Sequence, residues 1–215
     1  MVRRPLNLKE NLMLKNNKMV HTKDELFQGV RQYETDERKL EFIENEIKKG
    51  MPTEVKIKAL ELMAEIYKSK KWWNSSAKNF ASAADLAPTF REKIDLYFKS
   101  AVMFLQAGDY FTADDNFRKV LVLATSEQKP KIQEKIHSLY LEHAENYEKE
   151  KKYIKAIKAY SKILSMKVPL SKKLEVYDKL SVLFEKVGKP REAAQMLEHK
   201  QNIIESEEKK YINLE

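Results

Sequence analysis

The chain has 215 residues, of which 42% are hydrophobic and 34% are charged, and its formal net charge is +8. This composition is typical of a folded, highly charged protein and excludes an intrinsically disordered chain. The absence of cysteine excludes disulfides, thiolate nucleophiles and cysteine-ligated zinc. Four glycines and six prolines are too few for many tight hairpin turns or glycine-rich phosphate-binding loops. Because Lys, Glu, Leu and Ala favour helices, we expect an all-α protein.

The sequence also bears on where the protein resides. No apolar run approaches the roughly 20 residues that a helix needs to span a bilayer. The stretch from Met1 to Val20 lacks the apolar centre of a secretory signal. We therefore expect a cytoplasmic protein.

Basic charge is concentrated at the start of the chain. The first 23 residues contain six basic residues and one acidic residue, whereas the remainder is nearly balanced. Pro5 and four asparagines interrupt helical periodicity there, which predicts a flexible basic arm over residues 1–21. This arm is either a solvated tail or an electrostatic contact for nucleic acid or an anionic membrane. Its candidate contact residues are Arg3, Arg4, Lys9, Lys15 and Lys18.

A helix pair is predicted over residues 22–50. Thr22 followed by Glu25 has the spacing of a capping box, which starts a helix. Thr35 or Asp36 is suited to cap a second helix, and Gly50 is suited to end it.

Four further helix pairs are predicted over residues 53–208, followed by a short tail over residues 209–215. Aromatic residues recur near the end of each first helix, at Tyr67, Phe104, Tyr147 and Phe184. Equivalent large residues recur in each second helix, at Phe80, Phe117, Tyr160 and Leu197. Both sets are separated by 37, 43 and 37 residues, and the two positions within a pair always differ by 13. Matching separations in two independent sets indicate a structural repeat.

These units resemble the tetratricopeptide repeat, a helix hairpin with small and aromatic residues at fixed positions. The second unit matches best, with Tyr97, Ala101, Phe104, Gly108, Tyr110, Ala113 and Phe117. The first unit departs at its turn, where Lys71 replaces glycine, although Ala64 matches; Ala144 and Ala156 match in the third unit. The resemblance implies a right-handed superhelix. Because the units are longer than 34 residues, they also resemble the units of the soluble attachment proteins that serve the membrane-fusion disassembly machinery.

The resemblance also implies a function. Such repeats act as non-catalytic adaptors or scaffolds in protein–protein interaction, and they bind a peptide or helix on a concave face lined by the first helices. That face is predicted to be acidic at both ends and apolar in the middle, which suits a basic or amphipathic segment; a merely solvated face is the alternative. The candidate residues are Glu61, Glu65, Asp95, Phe98, Val102, Leu105, Glu142, Glu145 and Asp178.

The two tryptophans have different expected roles. Trp73 occupies the turn position that Tyr110 and Tyr153 occupy in later units, so we expect it to pack in the core. Trp72 has no apolar equivalent, and it either covers the turn or is an exposed contact residue.

No sequence pattern indicates catalysis or a bound group. The four histidines have no metal-ligand spacing, and phosphate-binding, hydrolase and zinc-protease motifs do not occur. We therefore expect no enzyme activity, no metal, no cofactor and no small-molecule substrate.

Overall fold

The computed structural model describes residues 19–212, with side chains described for residues 19–209. All five candidate contact residues of the basic arm therefore lie outside the described residues. Every regular element within the described residues is an α-helix. The helices are α1 (Lys23–Arg31), α2 (Asp36–Lys49), α3 (Thr53–Ser69), α4 (Trp73–Leu86), α5 (Phe90–Ala107), α6 (Tyr110–Leu123), α7 (Gln128–Lys149), α8 (Tyr153–Leu164), α9 (Leu170–Lys186) and α10 (Pro190–Ile212).

The chain divides into two compact units, one ending at Ala124 and the other beginning at Thr125. In the first unit, helices α3 to α6 each pack against the next, and α1 and α2 pack against each other and against α3. In the second unit, α7 to α10 pack in the same sequential manner. This arrangement confirms the all-α fold of tetratricopeptide-like helix hairpins, whereas the handedness of a superhelix stays a prediction.

The boundary between the units coincides with the irregular separation in the sequence. The hairpins are 37 residues apart within each unit and 43 apart across the boundary. Helix α7, the first helix of the second unit, has 22 residues, whereas α3, α5 and α9 have 17 or 18. The additional residues therefore lengthen one helix at the division between units.

Small residues let adjacent helices approach closely. Ala64, Ala101, Ala144 and Ala156 are all fully buried. The buried Ser76 hydroxyl on α4 donates to the Ala64 carbonyl on α3 at 2.8 Å. A second buried hydroxyl, on α5, donates to a carbonyl of α4 at 2.9 Å. Since a serine side chain is short, both bonds require the backbones of neighbouring helices to lie close together.

The turn inside each hairpin uses a left-handed residue. These residues are Lys71, Gly108, Lys151 and Gly188, with φ values of 59°, 80°, 57° and 75°, and they repeat at the same 37, 43 and 37 separations. In every turn, the next amide donates to the carbonyl five residues earlier, at 2.8 to 3.0 Å. This is the hydrogen bonding of a Schellman motif. All four turns are therefore built alike, although lysine replaces glycine in two of them.

Three predicted boundaries or packing positions differ from the structure. Val20, placed in the flexible arm, is buried in a core cluster with Leu26 and Ile43. Helix α10 continues to Ile212, past the predicted end at residue 208. Leu197, expected to face inward, is 48% exposed because α10 packs against α9 and no later helix covers it among the described residues.

The two lysines in left-handed turns provide a test of the repeated turn. Glycine adopts positive φ without the steric cost that lysine carries. We expect Lys71→Gly to raise the free energy of unfolding of the first unit by about 0.5–1 kcal/mol. Gly108→Lys, the reverse change at the equivalent position, should lower it by about 1 kcal/mol. Urea unfolding followed by tryptophan fluorescence measures both, because both tryptophans lie in the first unit.

The matched control is Lys78→Gly, at an exposed position inside α4. There the same substitution should be destabilising by about 1 kcal/mol, since glycine disfavours a helix interior. If Lys71→Gly and Lys78→Gly both destabilise the unit, the left-handed turn does not limit stability.

Candidate partner-binding surface

Helix α5 carries the apolar centre of the predicted surface. Phe98 and Val102 are four residues apart, so they lie on the same face of the helix, and each is partly exposed. The Phe98 ring meets the Phe117 ring of α6 edge-on, with centroids 5.4 Å apart. Leu105, predicted for the same surface, is fully buried and therefore belongs to the core. The accessible apolar centre consists of Phe98 and Val102.

Lysines of the same helices neutralise the predicted acidic residues of the first unit. Three ion pairs do this: Glu61 with Lys58 at 2.9 Å, Glu65 with Lys68 at 3.0 Å, and Asp95 with Lys99 at 2.6 Å. Each pair spans three or four residues of one helix, where side chains are neighbours. The first helices of this unit therefore present paired charges, together with the apolar pair on α5, rather than an excess of negative charge.

The second unit retains more negative charge. The Lys200 ammonium group on α10 contacts both oxygens of Asp178, at 2.7 and 2.8 Å. Glu142 is exposed and Glu145 is partly buried on α7. Neither of these two glutamates has an ion-pair partner among residues 19–209. The unneutralised carboxylates of the predicted surface therefore lie on α7.

Tyrosine–carboxylate hydrogen bonds fix the first helices against the second helices. The Tyr97 hydroxyl on α5 donates to Asp85 on α4, and burial followed by this carboxylate raises the pKa of Tyr97 to about 12. The Tyr160 hydroxyl on α8 donates to Glu148 on α7 at 3.2 Å, and burial likewise raises the pKa of Tyr160. Both phenols therefore stay protonated donors near neutral pH. The sequence prediction missed these contacts because they join residues on different helices.

Trp72 covers the turn and is also exposed, and its role as a contact residue stays a prediction. Its ring stacks on Tyr67 with centroids 5.8 Å apart, so it covers the turn, and it remains 53% exposed. The Lys70 ammonium group lies 5.7 Å from the centre of the ring, a cation–π geometry. Trp73, which is expected to pack in the core, is only partly buried.

Two features are absent from the described residues, a metal-binding cluster and a membrane-spanning helix. No group of three or more His, Asp or Glu side chains that could hold a metal ion occurs among them. In the same part of the chain, no helix is long and apolar enough to cross a membrane. His143 is buried, and its ring meets the Tyr147 ring edge-on at 4.5 Å. Burial lowers the pKa of His143, which indicates a neutral core histidine.

Comparison with known proteins finds solved structures that are distantly similar to the chain. No protein-family model and no curated protein sequence matches the chain. A MamA crystal structure is 15% identical, covers 96% of this chain and 99% of its own, and has a TM-score of 0.35. BtubC from P. vanneervenii is 11% identical over 86% and 80% of the two chains, with a TM-score of 0.38. Human IFIT1, solved as a dimer with PPP-AAAA, is 19% identical over 91% and 50%, with a TM-score of 0.38. The hairpins, turns and alanine contacts of the described residues form a helical repeat of tetratricopeptide-like hairpins.

The buried histidine predicts a pH dependence for the second unit. A lowered pKa means that the unfolded chain takes up a proton below about pH 6.5 that the folded unit does not. The free energy of unfolding should therefore fall as pH drops below 6.5, and this contribution should be fully present above that pH. The loss should be smaller in His143→Gln, because glutamine does not titrate. Amide hydrogen exchange of α7 and α8 at pH 7.5 and 5.5, corrected for intrinsic rates, measures the difference.

The control is His199→Gln, at an exposed position on α10. It should keep the pH dependence of the native chain. Equal loss of protection in the native chain and in His143→Gln would contradict the assignment to His143.

Proposed function

We propose that the chain is a non-catalytic adaptor that binds an amphipathic helix or peptide of a partner protein on the first helices of its hairpins. The partly exposed pair Phe98 and Val102 carries this proposal. An aromatic and a branched side chain on one helix face, beside charged residues, resemble the centre and rim of an interface. A partner helix would place an apolar residue against this pair.

The ion pairs refine the chemistry of the expected partner. Because Lys58, Lys68 and Lys99 neutralise the neighbouring carboxylates, the first unit does not select for a strongly basic segment. Exposed pairs of this kind contribute about 0–1 kcal/mol, so a partner can replace them at little cost. Basic residues of the partner are better matched by Glu142 and Glu145 in the second unit. An amphipathic segment with an apolar stripe suits the first unit.

The apolar centre can be tested by substitution. In Phe98→Glu/Val102→Glu, two carboxylates replace the apolar contact, and burying them against a partner costs binding energy. We expect at least a tenfold loss of affinity, equivalent to about 1.4 kcal/mol. The measurement is quantitative pull-down of partners from a cell extract, followed by titration of the strongest partner.

Phe90→Glu is the matched control, since Phe90 lies on the same helix and is 70% exposed. It should leave binding unchanged, and circular dichroism should show all variants folded. Undiminished binding by the double variant would exclude this surface as the docking site.

A second function, contact with nucleic acid or an anionic membrane, is favoured by the basic charge at the start of the chain. Residues 1–18 contain five basic residues and one acidic residue. Such a segment releases counterions when it binds a polyanion, so the association weakens steeply with salt. This function is the alternative to the adaptor role.

Deletion of residues 1–18 tests this second function. The cut must stop before Met19 because Val20 is part of the core cluster of the first unit. If the segment binds a polyanion, the deletion should abolish salt-sensitive binding to RNA, DNA or anionic vesicles while circular dichroism shows that the helices stay folded. Binding that survives the deletion would assign any polyanion contact to the folded units.

A further inference from the structure

A cavity of about 1060 Å³ lies between α1 and α2. Its lining has an apolar part, which includes Met19, Tyr33 and Phe42, and a charged part, in which three glutamates, including Glu41 and Glu46, are offset by three basic side chains. It uses no residue of the surface proposed above for partner binding. The cavity is therefore a separate candidate site.

The back of the cavity is held in a fixed shape. Phe42 packs so closely on α1 that a Cβ atom at Gly29 would lie 2.3 Å from its ring. Tyr33 lies against the same ring, with centroids 5.5 Å apart. Two aromatic rings thus form a preformed apolar wall, which a ligand does not have to create.

Glu46 supplies a polar group that needs a partner. Only 4% of this residue is exposed. Its Oε1 atom accepts a hydrogen bond from the Lys49 ammonium group at 2.7 Å, whereas its buried Oε2 atom has no hydrogen-bond partner among residues 19–209. A buried carboxylate oxygen that lacks a donor is costly. The site is therefore suited to a group that brings an additional donor, and an ammonium group is the best match for a carboxylate.

The other charges of the lining do not provide that donor. The carboxylate of Glu25 accepts hydrogen bonds from two backbone amides at the start of α1, at 2.8 and 3.3 Å. Arg38 and Lys48 also line the cavity and balance the remaining acidic charge. The demand for a cation therefore arises at Glu46 rather than from an overall negative field.

We propose that this cavity binds residues 12–18 of the same chain, with leucine side chains against the aromatic wall and a lysine ammonium group at Glu46. The sequence of this segment, LMLKNNK, combines an apolar run with two lysines, which matches the two parts of the lining. The next residue in the chain is Met19, which itself lines the cavity. Such a short tether gives an effective concentration in the millimolar range, so the segment outcompetes a free basic peptide.

Protease protection in the full chain tests this site. Chymotrypsin cleaves after the leucines and methionine at positions 12–14, and intact mass reports each cut. Bound residues should be cleaved at least tenfold more slowly in the native chain than in a free synthetic peptide of residues 1–20, because cleavage follows the open population. Glu46→Gln should remove most of this protection, and so should Lys15→Gln/Lys18→Gln, which leaves the folded core untouched. Combining the two changes should add little further loss, as expected for groups that contact each other.

Glu41→Gln is the matched control, because it removes a carboxylate from the same lining and should preserve the protection. Cleavage of the native chain at the rate of the free peptide would overturn the proposal. It would also be overturned if Glu46→Gln, folded by circular dichroism, kept the native protection, or if the glutamate and lysine changes acted additively.

Discussion

Close approach of neighbouring helices at alanine and serine positions is the constraint on which the rest of the structure depends. The hydrogen bond from Ser76 to the Ala64 carbonyl shows how near the backbones of α3 and α4 come. A larger side chain at either position would separate the helices and would also move the aromatic residues that fill the space beside them. The left-handed turns serve the same geometry, since they reverse the chain within a few residues.

This packing decides which residues remain for binding. The small and aromatic residues are buried in contacts between hairpins, so only one face of each first helix stays accessible. On α5 that face carries Phe98 and Val102, whereas Leu105, one turn further, is already inside the core. The tyrosine bonds to Asp85 and Glu148 hold the first helices against their partners. Contacts of this kind preorganise the surface, which would limit the entropy lost on docking of the proposed partner.

The hairpin architecture could be predicted from the sequence because it depends on spacing. The 37 and 43 residue separations predicted the helices and the turns, whereas the division at Ala124 was not predicted, although the 43 residue separation spans it. The ion pair between Lys58 and Glu61 could also have been predicted, since it follows from helical spacing alone. The burial of individual side chains and the contacts between helices could not be predicted from the sequence. Nothing local distinguishes Leu105 from Val102. The hydrogen bond from Lys200 to Asp178 joins residues that are 22 apart and lie on different helices.

The ends of a stack of helices differ from its middle. A helix inside a unit is covered on two sides, whereas a terminal element lacks one neighbour. At the end of the second unit, α10 leaves Leu197 exposed. At the start of the first unit, α1 and α2 line an open cavity, and a buried oxygen of Glu46 has no donor within the part of the chain that the structure describes. A terminal element of a repeat can therefore keep apolar surface or a buried polar atom that a further helix would otherwise cover.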